Sequence, residues 1–164
     1  MPAVTFRVLI LILLLAGASA LSPVLRADLG QPLQVIVDRA GEPDGTLKGQ
    51  PYWKPYRGGI HLAVTRDARD SDAPVVFEIL YGGQPLPRDQ VAAFMAHNAP
   101  EGDWREANRQ DLQQWRALGW LLKAAPARIF VDADNRRLLW LRDKQVIALT
   151  REGAGVARDF YLPL

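Results

Sequence analysis

The sequence predicts an α+β domain, a mostly antiparallel sheet of about six strands in the order βββααβββ(β) with two helices packed on one face. Three observations lead there. Short apolar runs joined by brief turns fill residues 60–81 and 127–151, as consecutive antiparallel strands do. Between them, residues 87–124 repeat apolar side chains at three- and four-residue intervals, which is helical spacing. No internal repeat or boundary divides residues 31–164, so they read as one globular domain. With 49% hydrophobic and 23% charged residues, a chain of 164 residues can bury a core of its own.

The first thirty residues stand apart. Arg7 precedes the uncharged run "VLILILLLAG" from Val8 to Gly17, and Ala18-Ser19-Ala20 forms a small-residue cleavage site, so residues 1–20 have the three-part layout of a secretory signal peptide. An uncleaved anchor is the alternative, because apolar residues continue to Leu25 and nearly reach the roughly 18 that a span requires. Residues 21–30 then serve as a linker. Either reading places the domain outside the cytoplasm, periplasmic or anchored in the inner membrane facing the periplasm. Any membrane tether is confined to residues 1–25. The chain has no cysteine, which excludes a lipoprotein anchor and leaves the fold without disulfides.

The domain opens at Pro32 with "LQVIVD", whose β-branched residues suggest a first strand. Gly41 to Gly59 holds five glycines and three prolines and reads as a long loop. From Ile60 the chain alternates, Ile60, Leu62 and Val64 on one face and His61, Ala63 and Thr65 on the other. After the charged turn "RDARDSD", Pro74 introduces "VVFEILY", apolar on both faces except Glu78, a central strand that ends at Gly82 and Gly83. Pro87 suits a helix start, and Val91, Phe94, Met95 and Asn98 follow at helical spacing until Pro100. Asp103 and Glu106 form a D-x-x-E capping box for a second helix from about Trp104 to Ala124, with Trp115 on its apolar stripe. The last third reads as a meander, "ARIFVD", "RLLWLRD" and "VIALTR", followed by a turn at Gly153 and Gly155 and a closing strand "RDFYLPL". Leu138 and Trp140 oppose Leu139 and Leu141, so that strand needs a covering layer on each face, one of them supplied by the long loop or by a partner protein.

The chemistry inventory is narrow. Serine catalysis is disfavoured because Ser19, Ser22 and Ser71 sit in the leader, the linker and a charged turn. Without cysteine there is no thiol nucleophile. His61 and His97 match no zinc spacing. "DADN" at Asp132 starts like a calcium loop, but Arg136 and Arg137 stand where an oxygen ligand and a glycine belong, so a turn is expected. No cofactor and no metal are implied. Cleavage after Ala20 would remove Arg7 and leave 19 cations against 18 anions, so no nucleic-acid partner is indicated.

The expected function is a non-catalytic binding or accessory protein of the cell envelope, taking an envelope protein or a small ligand as partner. The stretch "QPYWKPYRGGIH" carries it. Its prolines stiffen a segment that displays Tyr52, Trp53 and Tyr56 beside Lys54, Arg57 and His61, which suits stacking against a ligand or covering the meander as a lid. One alternative is an acid/base hydrolase of cell-wall or polysaccharide material, with His61, Glu78 and Asp38 converging. For that site Glu78 would have to be buried, whereas a carboxylate here is expected to face solvent or pair with an arginine. A second alternative is an inhibitor or immunity protein for an envelope toxin.

Overall fold

A computed structural model describes residues 29–99, 104–124 and 126–161. The expected signal peptide at residues 1–20, most of the linker, and Asp103 of the expected capping box lie outside the described residues.

The α+β class and the antiparallel sheet are as expected, but eight strands rather than six form one sheet. They are β1 (Gly45–Leu47), β2 (Gln50–Trp53), β3 (Gly59–Thr65), β4 (Val75–Gly82), β5 (Arg105–Glu106), β6 (Arg128–Val131), β7 (Arg137–Arg142) and β8 (Gln145–Thr150). Their spatial order is β1-β2-β3-β4-β8-β7-β6-β5, with every pairing antiparallel. Five α-helices accompany them among the described residues: α1 (Leu33–Ala40), α2 (Arg88–Asn98), α3 (Arg109–Gln113), α4 (Gly119–Ala124) and α5 (Gly153–Phe160), with a single 3₁₀ turn at Arg116–Leu118.

The helices lie on both faces of the sheet, not on one. On the first face, Trp53, Ala63, Leu80, Leu139, Val146 and Ala148 pack with Leu33 and Ile36 of α1 and Phe94 of α2. On the second, Leu62, Phe77, Ile79, Leu138, Trp140 and Ile147 pack with Trp115, Leu118 and Leu121 and with Ala154 and Ala157 of α5. Helical layers therefore meet the demand for two-sided cover at Leu139 and Trp140. Tyr161 adds an aromatic edge 6.1 Å from the Trp140 ring.

Four expectations are corrected. "LQVIVD" forms α1 rather than a strand. Leu33, Ile36, Val37 and Ala40 share a helical stripe on the core, and on the exposed side Gln34 Nε2 donates to Asp38 Oδ1 at 2.7 Å. Gly41, at φ 83°, ends the helix by donating its N–H to Val37 O. Burial of that stripe outweighs the β preference of Val35, Ile36 and Val37.

The segment 41–59 is not a plain loop, since it contains the β1–β2 hairpin. Lys48 and Gly49 adopt φ 50° and 80°, the left-handed pair that matches strand twist in a two-residue turn. The expected helix over 104–124 is broken into pieces. Asn108 Oδ1 accepts from Gln110 N and Asp111 N while Asp111 Oδ2 accepts from Asn108 N, so the capping box forms five residues later than expected, at α3. Residues 105 and 106 pair with β6 instead. The helix then breaks at Trp115, whose buried indole N–H donates to Asn135 Oδ1 at 2.7 Å.

Finally, the end of the chain forms α5 rather than a strand as far as it is described. Gly153 starts it in close contact with the β4 backbone, and Phe160 stacks 6.4 Å from Phe77.

Candidate functional site

Two places in the fold gather polar side chains. The first lies inside the sheet. Pairing of Ala63 with Glu78 and of His61 with Leu80 sets His61 and Glu78 diagonally on the first face, and their Nε2 and Oε2 atoms stand 3.7 Å apart. Both side chains are 0% exposed. Asn98, the last residue of α2, donates from Nδ2 to Glu78 Oε2 and to Phe94 O, each at 3.0 Å. Its Oδ1 accepts from Leu29 N at 3.3 Å, and its carbonyl accepts from Arg137 Nη1 at 2.9 Å. The rings of Trp53 and Phe94, 5.9 and 6.0 Å from the His61 ring, close the cluster. Both His61 ring nitrogens and Glu78 Oε1 are buried without a hydrogen-bond partner.

Glu78 therefore does not face solvent and, among the described residues, pairs with no arginine. β4 is a central strand buried on both faces, and the polar group that reaches the carboxylate comes from α2. Asp38 does not join the pair, being exposed on α1 and bonded to Gln34. At 3.7 Å the imidazole and the carboxylate stand beyond hydrogen-bond reach, and both side chains are fully enclosed. Asn98 is the residue that pattern reading passed over. Its signal was an amide at an inward helical position, where an apolar residue was due.

The six residues of the aromatic stretch do not share one surface. Tyr52 lies half-buried towards the second face, its ring against Gly45, where an added Cβ would come within 2.8 Å. Trp53 is 2% exposed and donates its indole N–H to Gly41 O at 2.9 Å. The Lys54 side chain is exposed, and its backbone N–H is held by Asp44 Oδ2 at 2.7 Å. Tyr56 packs on Gly59 and Gly82, and burial pushes its phenol above its ordinary value. Arg57 is exposed and His61 fully enclosed. Trp53 and His61 are thus committed to the interior, Tyr52 and Tyr56 are half-buried, and Lys54 and Arg57 are exposed.

The second polar place is an open groove of about 1160 Å³ at the end of the sheet that carries the β7–β8 turn. The start of α2 contributes Arg88 and Val91, the start of β6 contributes Arg128, and the turn contributes Leu141 to Lys144. Two backbone bonds lock the turn against the segment before α2: Leu86 N donates to Asp143 O at 2.7 Å and Gly82 N to Lys144 O at 2.9 Å. Leu86, Val91 and Leu141, with Pro85, Pro126 and Ala127, are the apolar residues of the lining. Arg88, Arg128 and Lys144 bring three cations against the single carboxylate of Asp143, while Arg142, also in the lining, turns its guanidinium to Trp140 on the second face. The Arg128 guanidinium lies 4.8 Å from the Phe130 ring centre and that of Arg142 lies 5.6 Å from Trp140, so both are seated on aromatic surface. No carboxylate among the described residues forms an ion pair with any of the four.

A different cation illustrates the contrast. Arg105 grips Asp111 through two bonds of 2.6 and 2.7 Å, and this fork, with the Asn108 N–H, lowers the Asp111 carboxyl to about 2. Among the described residues no three His, Asp or Glu side chains gather to hold a metal ion, and no described helix is long and apolar enough to cross a membrane. Comparison with protein-family models, with curated proteins and with solved structures found no match.

Proposed function

We propose that this chain is an exported binding or accessory protein whose contact surface is the basic groove between α2, β6 and the β7–β8 turn. The observation that carries the reading is charge placement. A chain of formal net charge +2 sets Arg88, Arg128 and Lys144 around one open concavity, with a single acidic side chain, Asp143, among them. A field of that sign concentrated in a cleft attracts an anionic partner. The contact surface moves from the aromatic stretch to the groove because Trp53 and His61 are buried and Tyr52 and Tyr56 are half-buried against Gly45, Gly59 and Gly82. Export rests on the composition of residues 1–20. The hydrolase reading is weaker, since His61 and Glu78 are enclosed. An inhibitor of an envelope toxin would be one instance of the same binding role.

The absence of native cysteine provides the test. An Ala127→Cys variant carries one thiol in the groove lining, and an environment-sensitive dye on it reports occupancy. Titration with an acidic peptide, phosphatidylglycerol vesicles and inorganic polyphosphate is expected to shift the emission for at least one probe. Silence towards all of them sinks the reading.

A further inference from the structure

We infer that α2 is a lid over the His61–Glu78 pair, a helix that lifts while the sheet stays folded and so opens the enclosed imidazole and carboxyl to solvent. The inference stands apart from the groove reading. It begins with how little of α2 the core holds. Of its eleven residues only Phe94 and Asn98 are buried, so a single fully buried apolar side chain anchors the helix. The shorter α1 buries Leu33 and Ile36, and α5 buries Gly153, Ala154 and Ala157 and presses on the β4 backbone. α2 is fastened by hydrogen bonds instead, and they gather at its C-terminal end. Asn98 donates to Glu78 Oε2 and accepts from Leu29 N, its carbonyl accepts from Arg137 Nη1, and Met95 O accepts from the Trp104 indole N–H at 2.7 Å. At the other end no side chain caps the helix after Pro87. Bonds of this kind are exchanged for bonds to water when a helix lifts, so each adds little net attachment, whereas buried apolar area has no such replacement.

What α2 covers also favours its lifting. His61 Nδ1, His61 Nε2 and Glu78 Oε1 are buried without a hydrogen-bond partner, with Phe94 edge-on to the imidazole and Asn98 bonded to the carboxyl. Each such atom raises the free energy of the closed state and regains hydration once water reaches it. The polar pair therefore works against the helix that encloses it. Lifting α2 breaks no strand pairing. β3 and β4 stay joined, so His61 and Glu78 keep their diagonal positions, with Trp53 still beside the imidazole. The β4–β8 pairing and the second core hold no part of α2 and remain as they are. An element with few buried apolar contacts opens at a free energy below that of global unfolding, and α2 meets that description.

Amide hydrogen exchange followed by NMR, in water and in low urea, tests this. After correction for intrinsic rates, the amides of Ala92 to His97 in α2 are expected to exchange at least about tenfold faster than those of β4 and β8, and with little dependence on urea, because lifting one helix exposes little surface. Diethyl pyrocarbonate, which acylates accessible imidazoles, is expected to label His61 in water without urea, with peptide mass mapping separating His61 from His97. His61→Leu removes two of the unpartnered atoms at similar side-chain size and is expected to slow α2 exchange about fivefold or more. The lid is overturned if α2 amides exchange in step with those of β4 and β8, if His61 is labelled only across the urea unfolding transition, or if a folded His61→Leu protein fails to slow α2 exchange. The two wild-type measurements decide the matter alone should that variant not fold.

Discussion

Replacing Gly153 with alanine is expected to destabilise the protein, while the same change two residues later stabilises it. Gly153 sits where α5 presses on β4. A Cβ built there would lie 1.9 Å from the carbonyl oxygen of Val76 and 2.8 Å from its carbon, both backbone atoms that no rotamer change can move. The contact is pinned from the other side: Thr150 Oγ1 donates to the same Val76 oxygen and accepts from Gly153 N, each at 3.2 Å. Reaching even 3.0 Å, the lower edge of real Cβ contacts, requires α5 to retreat by more than an ångström, which loosens Ala154, Ala157 and Phe160 from the second core. A radial gap of 0.5–1 Å already forfeits about a quarter to a half of a dispersion contact. Overpacking of this kind costs about 1–3 kcal/mol.

Gly155 has nothing within 4 Å of its added Cβ and is helical, so Gly155→Ala should add about 0.5–1 kcal/mol of stability. Both substitutions lower the entropy of the unfolded chain by the same amount, so the gap between the two variants isolates the clash. Urea unfolding followed by tryptophan fluorescence measures it. If Gly153→Ala falls within about 0.5 kcal/mol of the wild type at an unchanged m-value, the close approach of α5 to β4 is not what the geometry implies.

Three further outcomes follow from the polar groups. Asn98→Ala leaves Glu78 Oε2 and Leu29 N buried without this partner, and at about 1–3 kcal/mol for each such group the loss should be about 2–6 kcal/mol; a loss below 1 kcal/mol in the same assay would show that the amide does not organise the cluster. Tyr56→Phe removes a buried hydroxyl that has no hydrogen-bond partner, so stability should hold or rise slightly, and a drop of more than about 1 kcal/mol contradicts the assignment. The folded carboxyl of Asp111 lies at about 2, below its ordinary value of 3.8, so its pairing stabilises the fold above pH 3.8 and that contribution is lost as the pH falls towards 2. Arg105→Ala should return the Asp111 titration, followed by carboxyl carbon NMR, towards the ordinary range, and a titration that stays near 2 would assign the shift to the Asn108 N–H instead.

The parts of the fold legible in the sequence are those whose signal is local. The alternation from Ile60, the apolar run "VVFEILY" and the closing meander became β3, β4, β6, β7 and β8, because a strand buried on both faces needs an unbroken apolar run wherever it lies in the sheet. α2 was legible from Pro87 and the spacing that follows it. The two-sided apolar character of β7 also announced correctly that something must cover each face.

What failed did so where a local preference met a tertiary demand. "LQVIVD" has strand composition but also an apolar stripe at helical spacing, and the sheet's need for a cover on its first face chose the helix. Residues 104–124 have a continuous helical period, yet Asn108 offers a better cap and Trp115 a buried bond to Asn135, so the helix starts only after Asn108 and breaks at Trp115. The close contact of Gly153 with Val76 could not be read at all, since it joins residues far apart in the chain.

The same division holds for function. The sequence by itself determined the leader-like composition of residues 1–20, the missing thiol chemistry and the scarcity of nucleophiles, because each is a matter of inventory. It placed His61 and Glu78 on neighbouring strands as candidates to meet. Only the tertiary structure decided that they meet in a closed interior with Asn98, that Trp53 belongs to the core, and that Arg88, Arg128 and Lys144 share a groove. Strand register and helix docking create those neighbours, and neither leaves a mark on the spacing of residues along the chain.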